Sequence, residues 1–178
     1  MKAKKTQRLV MRSIILLILF FAAGYTLYQN VFSKESETKA MLNEEAPDFA
    51  LQNLDGERTK LSEYIGRPVL VNFFATWCAP CKNEMPAIQT TYEEFKDDGF
   101  VVLAVNLSEP QISVKNLKEQ LGIDFQILLD KNNAVESMYD VHKIPSSFFI
   151  DSSGEIARVY EGEMSKEDLN DWVGELVD

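Results

Sequence analysis

Cys78 and Cys81 are the only cysteines in the chain, and Ala79 and Pro80 alone separate them. The apolar run Val69–Phe74 and then Trp77 precede the pair, so a strand leads into a C-x-x-C at the start of a helix. That arrangement sets one thiol at the surface and the other just beneath it. It suits exchange of a disulfide with another molecule, a two-electron reaction, and not the stapling of a fold. A structural zinc site needs four ligands, and two cysteines with the single His142 fall short. Covalent haem attachment needs C-x-x-C-H, whereas Lys82 follows Cys81. A bridge across so short a loop removes little entropy from the unfolded chain, so a purely structural disulfide has little purpose here.

The elements that must position this pair follow from hydrophobic pattern. Phe49–Gln52 and Arg58–Leu61 flank the turn signal Asp55-Gly56 and predict a small hairpin. Val69–Phe74 predicts a central strand buried on both faces. A helix follows from about Ala79 to Lys96, ending before Gly99. Phe100–Asn106, Gln126–Leu129, Ser147–Ile150 and Glu155–Glu161 read as further strands, with helices over Ser113–Leu121, Asn133–Tyr139 and Ser165–Val177. Ser165 and Asp168 match a capping box at the last of these. Strands alternating with helices and closed by a hairpin and helix give an α/β fold with a mixed sheet.

The first twelve residues carry five cations and no acid, and the next 20, Ser13–Phe32, carry no charge. At the helical rise this stretch spans about 30 Å, the thickness of a bilayer core. Positive charge ahead of it places residues 1–12 in the cytoplasm, 13–32 in the membrane and the rest outside. A cleaved signal peptide ending near Ala22-Ala23-Gly24 is the alternative. Either way the remainder is exported, to a compartment where disulfides persist. Residues 33–43 read as a polar tether and 44–178 as one domain. Residues 33–178 hold 13 basic and 28 acidic side chains, net −15, which disfavours nucleic-acid binding.

VNFFATWCAPC with Pro86, then Ile144-Pro145-Ser146-Ser147-Phe148-Phe149-Ile150-Asp151 and Gly154-Glu155-Ile156, resemble the thioredoxin fold and its cis-proline strand. Ala46-Pro47-Asp48-Phe49, the insert around 107–124 and the N-terminal anchor narrow this. The whole chain resembles membrane-tethered TlpA/ResA-type thiol-disulfide oxidoreductases, most closely the ResA-like ones. The resemblance implies a thioredoxin-like domain with an N-terminal β-hairpin and a βα insertion, preceded by one transmembrane helix. It implies Cys78 as nucleophile at the helix N-terminus, where unpaired N–H groups and the dipole favour a thiolate, and Cys81 as the resolving thiol. Pro80 suits the first helical turn. By resemblance Trp77 shields the pair and, with Pro80, Ile144 and Pro145, meets the partner; Pro145 after Ile144 is the cis-proline facing the cysteines. Glu84 lies on the helix face of Cys81 and matches an acid that modulates the thiol proton, since Asn72 in the central strand cannot titrate. The only cofactor expected is the Cys78–Cys81 redox disulfide, with no metal.

The substrate so implied is apocytochrome c before haem attachment, with a transmembrane thiol carrier as electron donor. Another exported disulfide protein, as in spore-envelope assembly, is the alternative. A peroxiredoxin-type peroxidase would place threonine three residues before its cysteine, where this chain has Ala75, with Thr76 one position late. A non-catalytic binding module would have no need of an intact C-x-x-C. His142 reads as a surface residue, and Asn106-Leu107-Ser108 fits a glycosylation pattern without a role.

Overall fold

Six consecutive apolar or small polar residues between Pro68 and Ala75 can bury a strand on both faces, and Val69–Phe74 is buried throughout. The computed structural model describes residues 41–177, with residues 11, 14–22 and 25 of the N-terminal segment. Among these, strands β1 (Ala50–Asn53), β2 (Arg58–Lys60), β3 (Val69–Phe74), β4 (Val101–Leu107), β5 (Gln126–Asp130), β6 (Ser146–Ile150) and β7 (Ile156–Glu161) alternate with helices. The helices are α1 (Ala79–Phe95), α2 (Gln111–Leu121), α3 (Ala134–Met138) and α4 (Lys166–Val177). The strands form one sheet in the order β2-β1-β5-β4-β3-β6-β7. β3, β4 and β5 run parallel, joined by the crossover helices α1 and α2, as parallel neighbours require. The remaining pairs are antiparallel, giving the thioredoxin-like mixed sheet.

Side chains alternate across a strand, so β3 and β4 feed two cores. Leu70, Phe74, Val102 and Ala104 pack with Met85 and Ile88 of α1, Val114 of α2 and Leu169 of α4. Val71, Phe73, Leu103 and Val105 face the other way, with Phe49, Val135 and Tyr139. The Tyr139 ring meets Phe73 at a tilt and Phe148 edge to face, at 5.4 and 5.0 Å between centroids, and its hydroxyl donates to Pro47 O at 2.8 Å. Burial, with the charge of Asp48, pushes its phenol far up. β3 and β4 therefore form the buried base beneath the loops at their C-terminal ends, the first of which leads to Cys78 and into α1.

Three expectations are corrected. Leu61 does not extend the hairpin: the chain turns into a 3-10 helix, Leu61–Tyr64. There the Ser62 N–H donates to Asp48 Oδ1 at 2.9 Å and the Lys60 N–H to Glu63 Oε2 at 3.2 Å. The tether expected over 33–43 is not free at its end. Met41 and Leu42 pack on the second core, and the Asn43 N–H donates to Ile156 O at 2.9 Å, because two apolar side chains draw the segment in. At the start of α4 the Ser165 hydroxyl accepts from the Asp168 N–H and donates to its carboxylate, so the carboxylate takes the hydroxyl proton where a reciprocal box takes a backbone N–H.

Residues 14–22 are helical and exposed. No helix among the described residues is long and apolar enough to cross a membrane. The anchor expected over 13–32, the basic segment 1–12 and most of the tether extend beyond the described residues.

Candidate active site

Cys78 caps α1. Its backbone is extended (φ −80°, ψ 112°), and its sulfur accepts the Cys81 N–H at 3.2 Å. A helix start leaves such N–H groups without backbone partners, so the sequence Cys-Ala-Pro-Cys aims one at the first sulfur. Pro80 occupies the first turn, where its missing N–H is no loss. Cys78 and Cys81 are joined in a disulfide. Cys81 is fully buried, and Cys78 keeps only 6% of its surface. The expected surface thiol is thus largely covered, with only a small part of its surface open. The Ile144 carbonyl oxygen lies 3.8 Å from Cys78 Sγ, and the Ile144–Pro145 peptide is cis.

Glu84 is 1% exposed, not solvated as most helix glutamates are. It lies on the buried stripe of α1 with Cys81, Met85 and Ile88, one turn behind the disulfide. Asn72 points from the helix side of β3 and donates through Nδ2 to Glu84 Oε1 at 2.8 Å and to Ser147 Oγ at 2.9 Å. The Met164 N–H donates to Glu84 Oε2 at 3.1 Å. Burial raises the carboxyl pKa from 4.5 to about 7; the two hydrogen bonds oppose this, and the charge of Glu163 adds to it. A carboxyl poised there changes protonation near neutral pH, which suits it to holding or passing a proton beside a thiol pair. Both Glu84 oxygens thus accept a hydrogen bond, whereas Asn72 Oδ1 is buried without a partner.

Sequence reasoning missed Glu109. It follows β4, beside the turn between β3 and α1, because Phe74 and Asn106 are paired across the two strands. Its carboxylate accepts the Thr76 N–H at 2.6 Å, the Thr76 hydroxyl at 2.5 Å and Asn106 Nδ2 at 2.7 Å. A lone acid in a Ser-Glu-Pro loop gives no sign of this; only strand pairing could reveal it. Asn106 is fully buried, so its glycosylation pattern is out of reach. Trp77 is 72% exposed, standing out from the domain instead of lying as a cover. His142 is exposed and paired with Asp140 at 3.1 Å. Among the described residues, no three His, Cys, Asp or Glu side chains converge on a metal position.

The family model described as AhpC/TSA matches residues 42–159. The chain is similar to the thiol-disulfide oxidoreductase ResA of Geobacillus kaustophilus, at 43% identity over 93% of this chain and 94% of that protein. ResA of Bacillus subtilis is 39% identical over 96% and 94%. Among solved structures, a thiol:disulfide interchange protein of the thioredoxin family from Chlorobium tepidum superposes with a TM-score of 0.70. It is 29% identical, over 75% of this chain and 96% of that one.

Proposed function

The chain belongs to the AhpC/TSA family and, like its ResA relatives, is a thiol-disulfide oxidoreductase; we propose that it reduces the C-x-x-C disulfide of an apocytochrome c before haem attachment. The observation that carries the reductant reading is the acid at its back: Glu84, buried one helical turn behind the Cys78–Cys81 pair and poised near neutrality. In the reduced form the Cys78 thiolate attacks one sulfur of the partner disulfide, and the other partner sulfur leaves as a thiolate. The Cys81 thiol passes its proton to the Glu84 carboxylate and attacks Cys78. The Cys78–Cys81 bond forms, the mixed disulfide breaks, and the second partner thiolate is released. Two electrons pass to the partner, and the two thiolates it gains take up protons.

In this reading Trp77, Pro80, Ile144 and Pro145 meet the partner chain beside Cys78. The 20 uncharged residues 13–32 hold the protein to the cell membrane, and the basic residues ahead of them keep its domain outside. Electrons to regenerate the dithiol come from a transmembrane thiol carrier. A peroxidase reading is disfavoured: Ala75 has no hydroxyl, and that of Thr76 is committed to Glu109.

Cys81→Ser tests this by trapping. The variant should accumulate a mixed disulfide through Cys78, and mass spectrometry of the trapped species should find a C-x-x-C-H segment. Trapped partners with no such segment would refute the cytochrome substrate. Cys78→Ser should abolish disulfide reduction in a mass-tag assay of free thiols; intact reduction would refute the mechanism.

A further inference from the structure

We propose that Glu109 is a positioning residue for the docking of protein disulfides: its carboxylate holds the Thr76–Trp77 turn and so sets where the Trp77 ring stands. The inference rests on the reading of Trp77 as a surface the partner meets.

Both oxygens of the carboxylate grip one residue. Oε1 accepts the Thr76 hydroxyl and Oε2 the Thr76 N–H, and charge-assisted bonds of this length are the strong ones. Oε2 also takes Asn106 Nδ2. Asn106 is fully buried, and its Oδ1 has no hydrogen-bond partner, so its amide is oriented for the acid. The residues on either side of Trp77 are held independently. The Cys78 N–H donates to Ala75 O at 3.2 Å, its sulfur accepts the Cys81 N–H, and the disulfide ties it to α1. Cys78 therefore keeps its place without Glu109. Thr76 does not: the bonds from its N–H and its hydroxyl both run to that carboxylate. Trp77 follows directly, mostly exposed and, among the described residues, part of neither core. Its position is inherited from Thr76. Loss of the clamp should therefore loosen the docking surface while leaving the reactive sulfur in place.

The test uses the full-length reduced chain with two substrates, a disulfide-bonded C-x-x-C-H peptide and hydroxyethyl disulfide, which is too small to need the tryptophan. Glu109→Ala should raise KM for the peptide about tenfold, as expected if loss of both arms of the clamp leaves the docking position filled in about a tenth of the molecules. It should leave kcat, and the rate with hydroxyethyl disulfide, within about twofold. Glu109→Gln should restore KM to within about twofold: its amide oxygen can accept both N–H groups while the Thr76 hydroxyl turns to accept from the amide nitrogen. In a Trp77→Ala background, Glu109→Ala should change KM by less than about twofold, because the two act through one contact. Should Glu109→Ala fail to fold by circular dichroism, Thr76→Val, which removes only the hydroxyl arm, should raise the peptide KM by about threefold, as expected if the docking position stays filled in about a third of the molecules. Equal losses with both substrates, or full additivity with Trp77→Ala, overturn the proposal. A silent Trp77→Ala overturns the docking reading and this inference with it. An effective Trp77→Ala beside a silent Glu109→Ala overturns this inference alone.

Discussion

Glu84→Gln should remove a pH dependence of stability that the native chain carries. The carboxyl pKa stands at 4.5 ordinarily and at about 7 in the fold, chiefly through burial. Between those values the folded protein holds a proton that the unfolded chain has released. The stabilisation is complete below 4.5, declines as pH rises, and is lost once pH passes about 7. At about 1.4 kcal/mol per pKa unit, the total is about 3 kcal/mol. Glutamine has the shape of the protonated carboxyl and cannot ionise, so its contribution is flat. It is left with one acceptor for the Asn72 amide and the Met164 N–H, a constant cost of about 1 kcal/mol at every pH. The assay is urea unfolding of the oxidised form, whose joined cysteines do not titrate, at pH 5 and pH 8 with equal m-values. The native chain should lose about 2.5 kcal/mol more than the variant over that interval, the rest of the loss falling below pH 5. Parallel losses would refute the reasoning, since they would mean that Glu84 is already ionised at pH 5 in the fold.

Removing the donor in Asn72→Leu leaves the carboxylate only the Met164 N–H. The midpoint of the same pH-dependent loss should rise, and a fall would contradict the account of Asn72 as stabiliser of the ionised form. Asp130 is fully buried, and its carboxylate accepts the N–H groups of Ala134, Val135 and Glu136 at 2.9 to 3.0 Å. Asp130→Ala should cost about 3 kcal/mol in urea unfolding, and a change under about 0.5 would show that water replaces it. Asp151 has the opposite sign to Glu84. Burial raises its pKa, but bonds from the Ser153 hydroxyl and from the Glu155, Ser153 and Gly154 N–H groups outweigh that and lower it. Its contribution is present above pH 3.8 and lost as pH falls through the depressed value. Asp151→Asn should flatten the acid limb of the thermal stability curve; an unchanged limb counts against this.

Local chemistry was legible wherever neighbours in sequence are neighbours in space. Asp55-Gly56 announces the hairpin because Gly56 sits at φ +84°, where side chains are disfavoured. Val69–Phe74 announces a strand buried on both faces because every residue can be buried, and Cys-Ala-Pro-Cys announces a helix start bearing a reactive sulfur. Leu61 misled because one apolar residue after a strand does not reveal that Asp48 and Glu63 will capture the backbone around it. Strand order was beyond reach for a related reason: β1 meets β5 through Gln52 and Leu129, a pairing that no local pattern encodes.

The candidate site divides along the same line. By itself the sequence determined the reaction, since two thiols at this spacing on a helix start admit little else. It determined the helix face that Glu84 shares with Cys81 too, because 3.6 residues per turn is a property of the backbone. Only the tertiary structure decided the state of that acid. Withdrawal from water raises its pKa, and the water is excluded by β3, β6 and the Met164 loop, brought together from distant parts of the chain. Glu109 became visible only when β3 paired with β4. Hydrogen bonds between loops depend on distance in space, and that distance is set when the sheet closes.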